Sequence, residues 1–342
     1  EDVSCQEAGD LLTRYNINAL LVLNGRNETP TGFITRQVIE KALFHKLSHV
    51  PVREYMTTEM VSVAPDADIL EVQDKIIEHK QRILPVLDNQ AIIGVVTRTD
   101  LLNILVRRKN RHPQGQNELP EMREHARTRN ISNFMKERLS PFLLNLLREI
   151  GRTASDISYN AYVVGGFVRD LFLYRTNEDI DIVIEGDGIA FAREFANQKG
   201  ARVHAYDKFG TAVIIFPDGF KIDVASARLE YYKFPAALPV VETSSIKLDL
   251  FRRDFTINTL SIQLNPKNFS TLIDFFSAQK DIKEKVIRVL HNLCFVEDPT
   301  RVFRALRFEQ RFGFTIGKLT AGLIDNAVKM DFFKRLSGRR VF

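Results

Sequence analysis

The sequence predicts an α/β protein that turns helical toward its C-terminus, preceded by a repeated pair of α/β units. Three observations carry this. The first hundred residues echo themselves: GFITRQVIEKAL (Gly32 to Leu43) and GVVTRTDLLNIL (Gly94 to Leu105) each run from a short apolar strand through a Thr-Arg step into an amphipathic helix. AYVVGGFVRDLFLYRTNEDIDIVIEGDG (Ala161 to Gly188) reads as strand, Gly-Gly turn, helix, loop and strand. Near the end, Arg301, Arg304 and Arg307 recur at helical spacing.

Length and composition set the frame. At about 150 residues per domain, 342 residues suggest two domains and part of a third. A hydrophobic fraction of 44% with 27% charged residues allows a sizeable core. No stretch approaches the run of about 20 apolar residues that crosses a bilayer, so no membrane partner is expected. The opening EDVSCQEAGD lacks the basic and apolar regions of a secretory signal. Two cysteines, Cys5 and Cys294, exclude a disulfide framework or a cysteine-rich zinc site, and a cytoplasmic setting is the expectation. The net charge of +5 permits a polyanionic partner without demanding one. Trp is absent while Phe numbers 25, so base stacking would fall to Phe, Tyr, His or Arg.

Upstream of each echo lie a helix and a buried strand: AGDLLTRYNINALLVL, and ADILEVQDKIIEHKQRILPVL. Tyr55-Met56-Thr57, Val61 to Asp66 (VSVAPD), His79, Leu84-Pro85-Val86 and the spacing Gly94, Thr97, Asp100 resemble a CBS domain. The first half is a weaker copy, so residues 1–107 are expected to form a CBS pair with an incomplete first member. That resemblance implies an adenine nucleotide at Thr97 and Asp100, and paired modules suit a homodimer. Val38 stands where the first copy would need its Asp. The residues alone equally allow Thr97 and Asp100 to cap the following helix, which leaves a dimerising scaffold as the alternative. Residues 108–129, polar and without hydrophobic period, read as a linker; the basic cluster Arg107, Arg108, Lys109 and Arg111 is an exposed tether or an RNA contact. A second domain follows near Asn130, with FLLNLLREIGRTASD as its first amphipathic helix.

The chemistry sits in that second domain. Gly165 and Gly166 open a helix, where close backbone approach and free N–H groups suit a phosphate. Asp179 and Asp181, two apart on a strand, point to one face amid Ile and Val, and a divalent cation relieves such a pair. Asp223 alternates with Ile222 and Val224 in a strand joined to Thr211–Phe216 through the turn Pro217-Asp218-Gly219. Three acids on neighbouring strands suit two Mg²⁺ ions, one at an attacking hydroxyl and one at leaving phosphates. Asp298 and Pro299 mark a helix start, and Arg301, Arg304 and Arg307 form a stripe for a polyanion. Phe303, Leu306 and Phe308 interleave with them, predicting a half-buried helix whose arginines face a cleft.

Together these segments resemble the class II tRNA nucleotidyltransferase and bacterial poly(A) polymerase family, within the DNA polymerase β-like superfamily. Four separated motifs occur in the family's order, and LSGRR (Leu336 to Arg340) looks like the start of a fifth. The resemblance implies a tandem CBS pair over 1–107, a linker over 108–129, a nucleotidyltransferase head over 130–265 and a helical neck over 266–342. It also implies roles. Gly165, Gly166 and Arg169 meet the triphosphate; Asp179 and Asp181 hold metal, with Asp223 as the third catalytic acid. Arg253, Asp254 and Asn258 lie near the sugar and phosphates; Asp298 and Arg301 read the base edge, with Arg304 and Arg307 completing the pocket. A CBS pair ahead of the head resembles the long-chain branch, whose members carry a phosphoesterase-like domain upstream and a tRNA-gripping body downstream, so a piece truncated at both ends is expected. The branch implies addition of the terminal AMP to tRNA 3′ ends from ATP. CC addition, CCA addition using CTP and poly(A) synthesis are the alternatives within the family. Outside it stand a CBS-based nucleotide sensor with an idle head and a small-molecule nucleotidyltransferase.

Overall fold

The computed structural model describes residues 1–25, 29–78, 81–88, 91–97, 100, 126–231 and 240–335. His79, the 107–111 basic cluster and the LSGRR segment lie outside them.

The internal echo is structural. In the first unit α1 (Cys5–Arg14) leads into β1 (Ala19–Asn24), β2 (Thr29–Thr35) and α2 (Arg36–Phe44). Ser4 and Glu7 form a capping box at α1, and Thr35 caps α2 by accepting from the Val38 N–H. The second unit repeats the order with α3 (Ile69–Glu78), β3 (Ile83–Asp88) and β4 (Ala91–Thr97). Both hairpins are antiparallel and both carry a register shift at matching positions, after Val22 and after Val86, opposite Gly32 and Gly94. Identical irregularities in two copies argue for one repeated unit more strongly than matching residue types do.

The larger domain is an eight-stranded mixed sheet. Its strands are β5 (Arg127–Asn130), β6 (Asn160–Val164), β7 (Ile180–Glu185), β8 (Arg202–Tyr206), β9 (Thr211–Ile215), β10 (Lys221–Ser226), β13 (Ser261–Gln263) and β14 (Thr271–Asp274), in spatial order β5-β14-β13-β6-β7-β10-β9-β8. The β11 (Arg228–Tyr231) and β12 (Val240–Thr243) hairpin stands apart from it. Edge strand β5 and its neighbour β14 thus draw on residues 127–129 and 271–274 as well as on the expected 130–265 span. Between β5 and β6 lie α4 (Ser132–Arg138) and α5 (Pro141–Asp156), the former not foreseen in the sequence. Ser140 caps α5 with Pro141 in its first turn, and Leu144, Leu147, Gly151 and Ala154 form its buried face. Gly151 is required there, because a Cβ would sit 1.8 Å from the Leu264 carbonyl oxygen. Further helices are α6 (Gly166–Phe172), α7 (Gly188–Lys199) and α8 (Ile246–Phe251).

After the sheet come α9 (Ala278–Glu284), β15 (Val286–Ile287), α10 (Cys294–Glu297), α11 (Thr300–Phe312), β16 (Thr315–Ile316) and α12 (Lys318–Lys329). One buried core runs from Cys5, Ile34 and Tyr55 of the N-terminal unit through Phe191 and Ile262 to Phe295, Leu323 and Phe332. The second unit has its own small core of Val63, Val72, Ile76 and Leu84. Among the described residues no helix is long and apolar enough to cross a membrane.

Candidate active site

A cavity of about 750 Å³ opens where β7 and β10 meet the Gly165 turn, with α11 forming the opposite wall. Its acidic side follows from register. β7 and β10 run parallel with Asp181 directly beside Asp223, so both side chains leave the same face. Ile180, Ile182, Ile222 and Val224 are buried on the other face, as alternation requires. Burial, above all, holds the Asp181 carboxyl above the ordinary carboxylate range; Asp223, Asp179 and Asp249 push the same way and the Arg253 guanidinium opposes them. Asp223 is raised too, by burial and then by Asp179.

Asp179 departs from the expectation. It precedes β7, is exposed, and does not line the cavity; its N–H donates to the Asn177 side chain. It acts on Asp181 and Asp223 as a neighbouring charge at the rim. Among the described residues, no three His, Cys, Asp or Glu side chains converge tightly enough to hold an ion by themselves.

The two glycines also separate. Gly165 has φ +70°, and a Cβ there would lie 2.8 Å from Arg253 Nη1 and 3.4 Å from Asp181 Oδ2. Gly166 begins α6, where a Cβ would meet nothing closer than Arg169 Nη2 at 3.6 Å. The turn therefore needs glycine at one position to let a cation and a carboxylate approach the backbone.

Two buried carboxylates organise the basic side. Asp249 in α8 accepts from Arg252 Nε at 3.0 Å and Nη2 at 2.6 Å, and from Arg253 Nη2 at 3.2 Å. Burial alone would raise its carboxyl, yet the Arg253 and Arg252 charges outweigh it and hold the group below the ordinary range. Asp254 behaves likewise: burial raises it, and Arg304, Asn258 and Arg301 bring it below. Its Oδ2 takes Arg304 Nε at 2.6 Å and its Oδ1 takes Asn258 Nδ2 at 2.9 Å. Asn258 Oδ1 in turn accepts from Arg169 Nη1 at 2.7 Å, and Arg169 Nε reaches Asp170 at 2.8 Å. A single polar chain thus links α6 to α11, with Arg169 lying over the Phe308 and Phe312 rings. Asp249 and Asp170 were missed in the sequence. The signal available for Asp249 was its spacing of three and four to Arg252 and Arg253.

Asp298 and Arg301 both reach the cavity. Asp298 Oδ1 accepts from the Thr300 N–H at 3.1 Å and hydroxyl at 2.7 Å, fixing the start of α11. Arg301, only 6% exposed, donates to the Arg252 carbonyl at 2.9 Å and to Cys294 Sγ at 3.2 Å. Arg304 lines the cavity but Arg307 does not; it is exposed. An i, i+3, i+6 stripe drifts about 60° per step, which carries the third residue about 120° around the helix. The buried face of α11 is Arg301, Val302, Ala305 and Phe308, whereas Phe303 and Leu306 are exposed, contrary to the interleaved burial expected. Thr300 and Tyr206 complete the lining without having been foreseen.

Thr97 and Asp100 satisfy one another. Asp100 Oδ2 accepts from the Thr97 hydroxyl at 2.6 Å and N–H at 2.9 Å, and the Asp100 N–H returns a bond to Thr97 Oγ1. These reciprocal bonds have the form of a capping box, the residues from 101 onward lying outside the described ones, and the Thr97 bonds hold the Asp100 carboxyl below its usual range.

Comparison with known proteins agrees with this geometry. Residues 161–288 match the poly A polymerase head domain, and residues 52–107 match the CBS domain. The chain is 52% identical over 335 residues to an A-adding tRNA nucleotidyltransferase of Geobacter sulfurreducens, covering 98% of this chain and 38% of that protein. It is 35% identical over 334 residues to one of Aquifex aeolicus, again covering 98% and 38%. A solved Thermotoga maritima CCA-adding enzyme complexed with tRNA superimposes with a TM-score of 0.57 at 46% identity, over 63% of this chain and 48% of that one. The chain therefore spans well under half the length of these curated relatives. Residues 161–288, holding the acid pair and the Gly165 turn, are a poly A polymerase head domain, and residues 52–107 ahead of them are a CBS domain.

Proposed function

We propose that this chain carries the catalytic centre of a template-independent RNA nucleotidyltransferase that adds the terminal AMP to tRNA 3′ ends from ATP. The observation that carries the reading is the in-register Asp181–Asp223 pair facing a wall of Asp298, Arg301 and Arg304 across one cavity. The similarity to A-adding enzymes over 98% of the chain supports ATP as the nucleotide. In the reaction a tRNA 3′-oxygen forms a bond to the α-phosphorus, the bond to the β-phosphate oxygen breaks, and pyrophosphate leaves.

The donor set fits Mg²⁺. Two hard carboxylates held above their ordinary range by burial and by neighbouring acids favour a divalent cation. Asp181 and Asp223 would hold it, with Asp179 adding charge at the rim, and two ions are expected in turnover. Bound there, Mg²⁺ would supply charge neutralisation at the phosphates and a lowered pKa at the attacking hydroxyl. Arg252 and Arg253, braced by Asp249, meet the phosphates beside the Gly165–Gly166 turn. Asp254 and Asn258 hold Arg304 and Arg169 in place, so these guanidiniums are pre-set before substrate arrives. Asp298 and Arg301 present an acceptor beside a donor, the pattern that pairs with a base edge.

The organisation belonging to this reading is a CBS pair over 1–107, a linker over 108–129, a head over 130–265 and a neck over 266–342, acting in the cytoplasm. An adenine nucleotide on the CBS pair would have to displace the Thr97–Asp100 bond, and dimerisation would use the same modules. The likeness to a CCA-adding enzyme favours CCA addition as the second reading. The test offers full-length protein, Mg²⁺ and a tRNA ending in CC with labelled ATP or CTP separately. One A added and CTP ignored is the expected result. Incorporation of CTP on shorter ends points to CC or CCA addition, a long ladder to poly(A) synthesis, and no incorporation to the sensor.

A further inference from the structure

The N-terminal unit is not a passenger. Its helix α2 sends Lys41 Nζ to within 2.8 Å of Glu297 Oε1, and His45 Nε2 lies 4.0 Å from the same oxygen. From the other side His291 Nε2 meets Glu297 Oε2 at 3.2 Å. Glu297 is 8% exposed and His45 4%, so the carboxylate and this ring are buried. Neither imidazole has a partner for its Nδ1 among the described residues, which leaves Glu297 as the polar group both rings address. Burial raises the Glu297 carboxyl, but His291, His45 and Lys41 together pull it far below the ordinary range.

What makes this contact consequential is where Glu297 stands in the chain. It ends α10 and is bonded directly to Asp298; the Arg301 N–H closes the next turn on the Asp298 carbonyl at 3.2 Å. The Arg301 guanidinium folds back on Cys294 and on the Arg252 carbonyl. Lys41 also lies 6.0 Å from the Phe251 ring centroid, and Phe251 precedes Arg252. One ammonium from the N-terminal unit thus touches both chain segments that form the nucleotide wall. The docking is reinforced nearby. Asn292 donates to the Tyr55 carbonyl at 2.5 Å and to Thr57 Oγ1 at 3.3 Å, and Asn326 donates to the Glu54 carbonyl at 3.2 Å.

We propose that Lys41 and His45 of the N-terminal unit are positioning residues for nucleotide selection, acting through Glu297 on the Asp298–Arg301 segment. The inference rests on the reading that Asp298 and Arg301 face the base, and it assigns the N-terminal α/β unit a part in choosing ATP over CTP. Lys41 is the lever to test, since its side chain is 33% exposed and its replacement leaves the core intact.

The experiment compares wild-type full-length protein with Lys41→Met, Lys41→Arg and Glu297→Gln. ATP and CTP affinities are measured directly by titration, beside KM and kcat for AMP addition to a tRNA ending in CC. Lys41→Met is expected to weaken ATP binding and raise its KM by about three- to tenfold, the size of effect that packed polar networks transmit. Its kcat should stay within about twofold, ATP preference over CTP should shrink, and Lys41→Arg should restore both. Glu297→Gln should reproduce the Lys41→Met pattern, and its melting curve shows whether it has folded. Unchanged affinities in Lys41→Met overturn the proposal. So does an equal loss for both nucleotides that Lys41→Arg fails to rescue, which is what a merely structural contact would give. Absence of nucleotide binding by wild type overturns it too. Wild type that binds ATP selectively but extends no tRNA leaves the positioning role standing and removes the proposed reaction instead.

Discussion

Gly165 and Gly166 look equivalent in sequence, and the structure predicts opposite consequences for replacing them. At Gly165 the backbone has φ +70° and ψ −131°, a region nearly closed to residues with a Cβ. Forcing alanine there costs about 1–3 kcal/mol of backbone strain. The new methyl would also lie 2.8 Å from Arg253 Nη1, so the guanidinium must swing away and give up its 3.2 Å bond to Asp249. Gly166 has no positive φ, and its Cβ would make ordinary contacts at 3.6 and 3.7 Å. Alanine at that helical position gains up to about 1 kcal/mol over glycine. In thermal unfolding, at roughly 2–4 °C per kcal/mol for a domain of this size, Gly165→Ala should lower the transition by roughly 2–12 °C. Gly166→Ala should leave it unchanged or slightly higher. AMP incorporation by Gly165→Ala, measured well below its melting temperature, should fall by about tenfold or more, the scale of one charge-assisted hydrogen bond. Equal melting shifts for the two variants would refute the distinction, and so would full activity in Gly165→Ala.

Two further outcomes follow from the site. Asp181 is a carboxyl raised in the folded state, so its stabilising contribution is full below the unfolded value of about 3.9 and is lost as pH rises through the folded value. Asp181→Asn should therefore raise the melting temperature at pH 7, with the gain shrinking toward pH 4, while incorporation falls by about 10²–10³; calorimetry across pH checks the first part, and a lower melting temperature at pH 7 would contradict it. On α11, Arg304→Ala strips a partner from buried Asp254 and should cost about 1–3 kcal/mol and raise the KM for ATP. Arg307→Ala should stay within about 0.5 kcal/mol with KM unchanged, and a KM effect matching that of Arg304→Ala would return Arg307 to the pocket.

Along the chain alone, what can be read is local and periodic. The echo of Gly32 to Leu43 in Gly94 to Leu105 was readable because a strand, a turn and an amphipathic helix each impose their own period on adjacent residues; the matching hairpin bulges bear out its strand half, and residues 101–105 of its second helix lie outside the described residues. The Gly-Gly turn was readable for the same reason, as was the alternation that buries Ile222 and Val224 and turns Asp223 outward. Whatever depends on which segments meet came only with the packed fold. Asp181 and Asp223 are 42 positions apart and became neighbours through a parallel register that no local pattern encodes. Asp179, two residues from Asp181, fell at the rim because the strand begins one residue after it. Arg307 left the pocket because three-residue steps drift around a helix, and only packing shows which face is turned inward. Asp249 carries a local signal in its spacing to Arg252 and Arg253, but only packing shows that it is buried beneath them, whereas Lys41 carries none, because its partner Glu297 lies 256 positions away.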